Sequence, residues 1–286
     1  MRALAHKVIA RAGRNYAAGE SLDDAKRLVA TLGERGYGVT LGYWNQDDET
    51  ADAVISQYRG AITYLSGIGG DSYLSIKTPA FGSDQTVHET LVGYAAQMHV
   101  PLHLDSLAYE SAGQVINLLS AGPTRRTNGL GCSLPGRWKR SLQDADLAAR
   151  LGVVPRIVKG QWSDPTHPDI DPREGFIAVA RRLAGNVPLV RVATHDPVLL
   201  RESVEILQKT NTSCEVELLY GLPANRAVQV ARDLDVPVRV YVPYGHAWIP
   251  YALNNLKRNP KALWWLFKDA LLGPYNKAFP ARPART

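Results

Sequence analysis

The sequence predicts an α/β protein of the (β/α)8 TIM-type barrel class, on three observations. Eight short runs rich in Val, Ile and Leu recur along the chain. Helical stretches long enough for crossovers separate them, and the alternation fills one chain of 286 residues. Near-continuous apolar runs are what parallel strands covered on both faces require. A doubly wound open sheet is the competing topology, and no GxGxxG follows the first strand to support it.

Two helices, "LAHKVIARAG" and "SLDDAKRLVATLGERG", precede the first strand. Ser21 and Asp24 form a capping box in which Asp stands for the usual Glu. Strands follow at 38–43, 72–77, 100–105, 129–134, 154–160, 188–194, 214–221 and 236–242. The intervening helices include "ETADAVISQYRGAITYLS", "QTVHETLVGYAAQM" and "PVLLRESVEILQK". "DPREGFIAVARRLAG" carries proline near its first turn and glycine at its end, the usual punctuation of a helix. The expected organisation is N-terminal helices over 1–36 packing on the barrel, a distorted barrel over 37–275, and a flexible basic tail over 276–286.

A hydrophobic fraction of 45% and a charged fraction of 21% are those of a soluble globular protein. No apolar run approaches the roughly 18 residues that span a bilayer, so no stable membrane insertion is expected. The basic, amphipathic start lacks the continuous apolar core of a signal peptide. Cys132 and Cys214 have neither disulfide nor metal-ligand spacing and read as core residues, in keeping with a reducing cytoplasm and no metal site. The net charge of +6 is spread along the chain with no basic helix or stacking motif, which argues against nucleic acid. A phosphate-bearing cofactor would use the same charge.

In barrels of this class the active site lies at the C-terminal ends of the strands. Reading those ends collects Lys77, Asp105 and Arg137 after strands two, three and four. Arg156, Lys159 and Trp162 lie along or beyond strand five. Thr194, His195 and Asp196 close strand six, Tyr220 and Gly221 strand seven, and Tyr241 and Tyr244 strand eight. Lys77 with Asp105 also reads as a plain rim ion pair, and "ATHDP" also reads as a helix start with Asp196 as its cap. Two cations in "RIVKG" are expensive in a barrel strand unless something anionic or electron-rich meets them. Trp264 and Trp265 read as packing residues of the last helix.

"RIVKGQW", "ATHDP", "VELLYG" and "VRVYVPYG" in that order, preceded by "LSIKTPAFG" and "LHLDS", resemble the flavin-dependent proline dehydrogenases from about residue 15 to about 272. That resemblance implies a distorted (β/α)8 barrel, non-covalent FAD, and hydride transfer from the carbon next to nitrogen onto flavin N5. It implies that Arg156, Val158, Lys159, Gly160 and Trp162 line the isoalloxazine, ribityl chain and phosphates. Thr194 and His195 would contact the cofactor further out. Lys77, Asp105, Leu219, Tyr241 and Tyr251 would surround a small amine or imino-acid-derived substrate, with Lys77, Asp105 and Tyr241 nearest the chemistry. The electron acceptor is left open.

Three departures qualify the resemblance. The family's paired carboxylate-binding arginines are Asn254 and Asn255 here. The usual Gln-Ala-Tyr-Leu after strand four is "PGRW", which puts Pro135 in place of a glutamine and adds Arg137. "LGYWNQDDE" follows strand one where a Gly-Glu pair is usual. Losing one partner of a buried, charge-assisted pair costs roughly 3–5 kcal/mol. Free proline is therefore expected to bind poorly, and amides suit a neutral polar group. Three readings stay open: a flavoenzyme for an amine lacking or masking its carboxylate, an imino-acid dehydrogenase whose clamp has moved to Arg137, and a non-catalytic ligand- or FAD-binding relative.

Overall fold

The computed structural model describes residues 18–46, 48–69, 71–78, 85–106, 108–120, 129–245 and 279–280. Within these residues, α1 (Leu22–Glu34) precedes β1 (Gly38–Tyr43), followed by α2 (Ala51–Ile68), β2 (Ser72–Lys77), α3 (Gln85–Gln97) and β3 (Leu102–Asp105). Next come α4 (Tyr109–Ser120), β4 (Gly131–Pro135), α5 (Ser141–Leu151), β5 (Val154–Val158), α6 (Pro172–Leu183) and β6 (Leu189–Ala193). The series closes with α7 (Pro197–Gln208), β7 (Ser213–Leu219), α8 (Asn225–Asp233) and β8 (Val238–Tyr244).

The strands form one closed parallel barrel in sequence order. Closure is direct: β8 pairs with β1 from Gly38↔Arg239 to Tyr43↔Tyr244, which removes the open-sheet alternative. The lacing is uneven, as a distorted barrel requires, because only His103↔Gly131 and Leu104↔Cys132 join β3 to β4. No helix among the described residues is long and apolar enough to cross a membrane.

Local chemistry sets the helix starts. Ser21 caps α1, and its reciprocal capping box with Asp24 is present. Asp171 and Asp196 cap α6 and α7, each followed by proline in the first turn, which has no N–H to leave unsatisfied. Through Ala25, Val29 and Leu32, α1 buries its apolar stripe against β8, β1 and α2. It thus fills the gap between β8 and β1 that a helix following β8 fills in a regular barrel. The first predicted helix lies outside the described residues. Of the expected tail, Phe279 and Pro280 are described: Phe279 is buried edge-on against Tyr37, and the Tyr37 hydroxyl donates to Pro280 O at 2.8 Å.

Period two divides each strand between two environments. Val216 and Leu218 of β7, or Val240 and Val242 of β8, are buried among apolar residues under the helices. The alternate positions carry Glu215, Glu217, Arg239 and Tyr241: Glu215 bonds Arg191 and Arg239 on the two adjacent strands, whereas Glu217 bonds Tyr73 and Arg156 on strands that are not its neighbours in the sheet. Arg156 of β5 bonds Glu217 of β7 and Asp105 of β3, which is possible only across the lumen. A barrel interior is more commonly filled by branched aliphatic side chains. Here three arginines, Arg156, Arg191 and Arg239, meet three carboxylates, Asp105, Glu215 and Glu217, all buried. Buried charges are tolerated only when paired and hydrogen-bonded, and these are. Cys132 and Cys214 are buried free thiols, as expected of core residues.

Candidate active site at the barrel mouth

The C-terminal ends of β2, β3, β5 and β8 bring Lys77, Asp105, Arg156 and Tyr241 together. Lys77 and Asp105 are register partners, yet they do not form the plain rim ion pair. The Asp105 carboxylate instead accepts from Arg156 Nη2, from Ser75 Oγ at 2.8 Å and from Ser133 Oγ at 2.9 Å. Lys77 lays its ammonium over the Trp44 indole, 4.6 Å from the ring centroid, and forms no ion pair among the described residues. Burial draws its pKa down to about 8, and the Asp105 charge offsets only part of that shift.

Arg156, in the middle of β5, lies one layer below the strand ends. Nη1 donates to Glu217 Oε1 at 2.6 Å, and Nη2 reaches Asp105, Ser133 Oγ at 3.1 Å and Ser75 Oγ at 3.4 Å. Its buried Nε–H has no partner among the described residues. Burial opposes the positive charge, but Asp105 and Glu217 more than offset it and keep the guanidinium ionised. His103 is held neutral by burial and by the three lumen arginines. Arg191 Nη1 approaches its Nδ1 at 3.5 Å, so the proton sits on Nε2 and points to Ser133 Oγ, 3.1 Å away.

Tyr241 reaches the mouth because its ring passes over Gly42, two residues beyond its β1 partner Thr40; a Cβ on Gly42 would overlap the Tyr241 hydroxyl. The hydroxyl accepts from Trp44 Nε1–H at 3.3 Å, and the ring lies 5.6 Å from the Arg156 guanidinium carbon. Burial and the Asp105 charge hold its pKa well above the ordinary phenol value, so it keeps its proton. Trp44 thus joins the two site residues Lys77 and Tyr241.

The rim from β5 to β7 holds the residues expected around a cofactor. Lys159 Nζ bonds Asp196 at 3.3 Å, and the same carboxylate takes Arg173 and caps α7. Thr194 Oγ1 accepts from Asp196 N at 3.2 Å. His195 is a clamp: Nδ1–H faces Pro223 O at 3.0 Å, which leaves Nε2 to accept from Leu219 N–H at 2.9 Å. Burial lowers its pKa to about 4. Both ring nitrogens of His195 are therefore occupied within the protein, and a group at this rim would meet the face or edge of its ring. Gly160 (φ +87°) sits where a Cβ would come within 3.0 Å of Pro135 Cβ, beside Val158 at the end of β5. Arg137 places Nη1 on Ser163 Oγ at 3.4 Å and its charge is felt by Asp171, while its buried Nε–H, like that of Arg156, has no partner among the described residues. Trp162 is exposed in the same outer loop, where its carbonyl accepts from Trp138 Nε1–H at 3.0 Å. Tyr251, Asn254 and Asn255 lie outside the described residues, as do Trp264 and Trp265.

Sequence reasoning missed Ser75, His103, Ser133, Tyr73 and Glu217. The signal was present: each lies two or four residues before a strand end that was singled out or that borders one. Period two puts it on the same lumen face, one layer down.

No family model matches the chain. It is similar to "Proline dehydrogenase 1" of Bacillus subtilis (strain 168), 22% identical over 276 residues covering 90% of each chain. "Proline dehydrogenase 2" of the same organism is 22% identical over 267 residues, 87% of each. A proline dehydrogenase of Deinococcus radiodurans is 27% identical over 153 residues, 50% of this chain and 48% of that one. The crystal structure of proline utilization A (PutA) from Bdellovibrio bacteriovorus shares the fold, with a TM-score of 0.74 at 16% identity. The match covers 85% of this chain and 32% of that longer one.

Proposed function

We propose that this chain, a divergent member of the proline dehydrogenase family, binds FAD at the barrel mouth and oxidises a proline-like amine whose carboxylate is absent or masked. It is a flavin-dependent dehydrogenase acting on a CH–NH donor. The observation that carries the cofactor reading is Arg156, charged, buried, and left with one unpartnered N–H below the mouth. Such a donor suits an electron-rich ring that gains negative charge on reduction. The close approach at Gly160 and the cations Lys159 and Arg173 suit a cofactor that carries phosphates. Arg156, Lys159, Gly160 and Arg173 would hold FAD there, and the cofactor would supply a hydride acceptor for the carbon next to the substrate nitrogen.

The chain's own residues orient and enclose the substrate. Tyr241 holds its proton at Oη and can donate it in a hydrogen bond. Leu219 closes the β7 side with an apolar wall that keeps water from a hydride transfer. Asp105 is fixed by Arg156 and two serines, so it shapes the field rather than moving. Lys77, with no carboxylate of its own among the described residues, offers its ammonium to an oxygen of the substrate.

The substrate reading rests on Asn254 and Asn255, which stand where the family binds the substrate carboxylate with two arginines. Without that bidentate clamp, Lys77 offers the substrate a single ammonium. At roughly 3–5 kcal/mol for a lost buried charge partner, proline should bind about 10²- to several 10³-fold more weakly than it would to the paired clamp. The alternative, a carboxylate clamp moved to Arg137, has a buried Nε–H without a partner among the described residues in its favour and the Nη1 contact to Ser163 Oγ against it.

Two measurements test this reading. The purified protein is expected to be yellow and to release FAD on heat denaturation; a colourless protein that takes up no added FAD would defeat it. Lys77 adds a pH signature. Its ammonium is populated below about 8 and lost above, so substrate affinity should weaken as pH rises through that value. Lys77→Met should flatten the pH profile of KM; a profile that keeps its shape in the variant removes Lys77 from substrate binding.

A further inference from the structure

Glu217 takes no part in the chemistry above, yet it is the second carboxylate on Arg156. It stands on β7 two residues before Leu219 and faces the lumen, 3% exposed and out of reach of a substrate. Oε1 accepts from Arg156 Nη1 at 2.6 Å, and Oε2 accepts from the Tyr73 hydroxyl. Tyr73 is itself pinned. Arg191 and Arg239 lie over its ring at 3.9 and 4.7 Å, and Glu215 takes both of those cations at 2.7 and 3.0 Å. Glu217 is thus held from below by a tier that balances its own charge. The guanidinium it holds in turn is gripped at the other terminal nitrogen by Asp105 from the opposite side of the lumen. Two carboxylates on β3 and β7 fix the plane of Arg156 and leave only Nε–H unpartnered among the described residues.

We infer that Glu217 is a positioning residue for the redox site. It aims Arg156 and, through its buried charge, moderates the positive potential that Arg156 presents at the mouth. The inference rests on the flavin reading. A cation beside a flavin favours its reduction. In a low-dielectric lumen, a carboxylate in contact with that cation offsets much of its field. Asp105 also does this, but it borders the substrate side. Glu217 acts on the redox site through Arg156 alone, so its charge can be removed without touching the substrate.

The test uses the full-length FAD-loaded protein. Glu217→Gln keeps the shape, with the amide oxygen serving Arg156 and the NH2 facing the Tyr73 hydroxyl, and removes the charge. Spectroelectrochemical titration should show the midpoint potential of bound FAD shifted upward. Glu215→Gln makes the same change one tier lower and should shift it less. A yellow Glu217→Gln protein with an unchanged potential, or equal shifts from the two variants, would overturn the inference and leave the flavin reading standing. Should Glu217→Gln fail to fold, Tyr73→Phe probes the same link. It keeps the charge but removes the O–H dipole that stabilises it, so the potential should fall; an unchanged value overturns the inference. A parent protein that binds no FAD removes both.

Discussion

Replacing Arg156 by leucine is expected to cost the fold about 3–5 kcal/mol, because it strands two buried carboxylates at once. Asp105 would keep Ser75 and Ser133, and Glu217 would keep Tyr73, but neither would have a cation in contact. The leucine fills part of the volume, so the loss is electrostatic rather than a cavity. In a chain of this size that corresponds to a fall in melting temperature on the order of 10 °C. Arg156→Leu combined with Glu217→Met should recover part of it, since removing both members of a buried pair is far less costly than removing one. Thermal melts of the parent, single and double variants decide the matter. A single variant that melts within about 2 °C of the parent would mean that the lumen network holds the barrel together less than its geometry implies.

Gly42→Val attacks the site from the opposite wall. The new side chain would land on the Tyr241 hydroxyl and come within 2.5 Å of its Cζ. Tyr241 is buried on β8, paired with Thr40 of β1 and Leu219 of β7, so its backbone has no room to yield. The ring must move, losing the bond from Trp44 Nε1 and its place beside Arg156. Overpacking of this kind costs about 1–3 kcal/mol of stability. A displacement near 1 Å at the reacting centre costs turnover on the order of 10²-fold. The variant is therefore expected to fold, to bind FAD and to lose most of its kcat/KM. Activity within threefold of the parent would show that Tyr241 is a wall of the barrel rather than a wall of the site.

The barrel was legible because its cues are local. Apolar parity in "CEVELL" and "VRVYV", the Ser21–Asp24 box and the Asp171–Pro172 start each act within a few residues, and the structure carries them as read. The lumen was not legible because its partners are set by closure. Asp105 was read against Lys77, its neighbour in the sheet, and it bonds instead to Arg156, 51 residues away across the barrel. Trp44 was noted only as part of an unusual loop; nothing adjacent in sequence says that its indole lies under Lys77 and donates to Tyr241. Nothing in "ATHDP" says that the two nitrogens of His195 are taken by Pro223 and Leu219, contacts set by how the β6 and β7 ends meet.

An anaerobic titration of the FAD-loaded protein tests most directly whether flavin chemistry is kept while proline is lost as the substrate. Proline and a neutral prolyl amide are added in parallel at equal concentrations, and the oxidised flavin absorbance is followed. Bleaching by the amide with no comparable response to proline is the predicted result. Rapid bleaching by proline at the same concentration would contradict it, and would mean that the substrate carboxylate is anchored without the arginine pair that Asn254 and Asn255 replace.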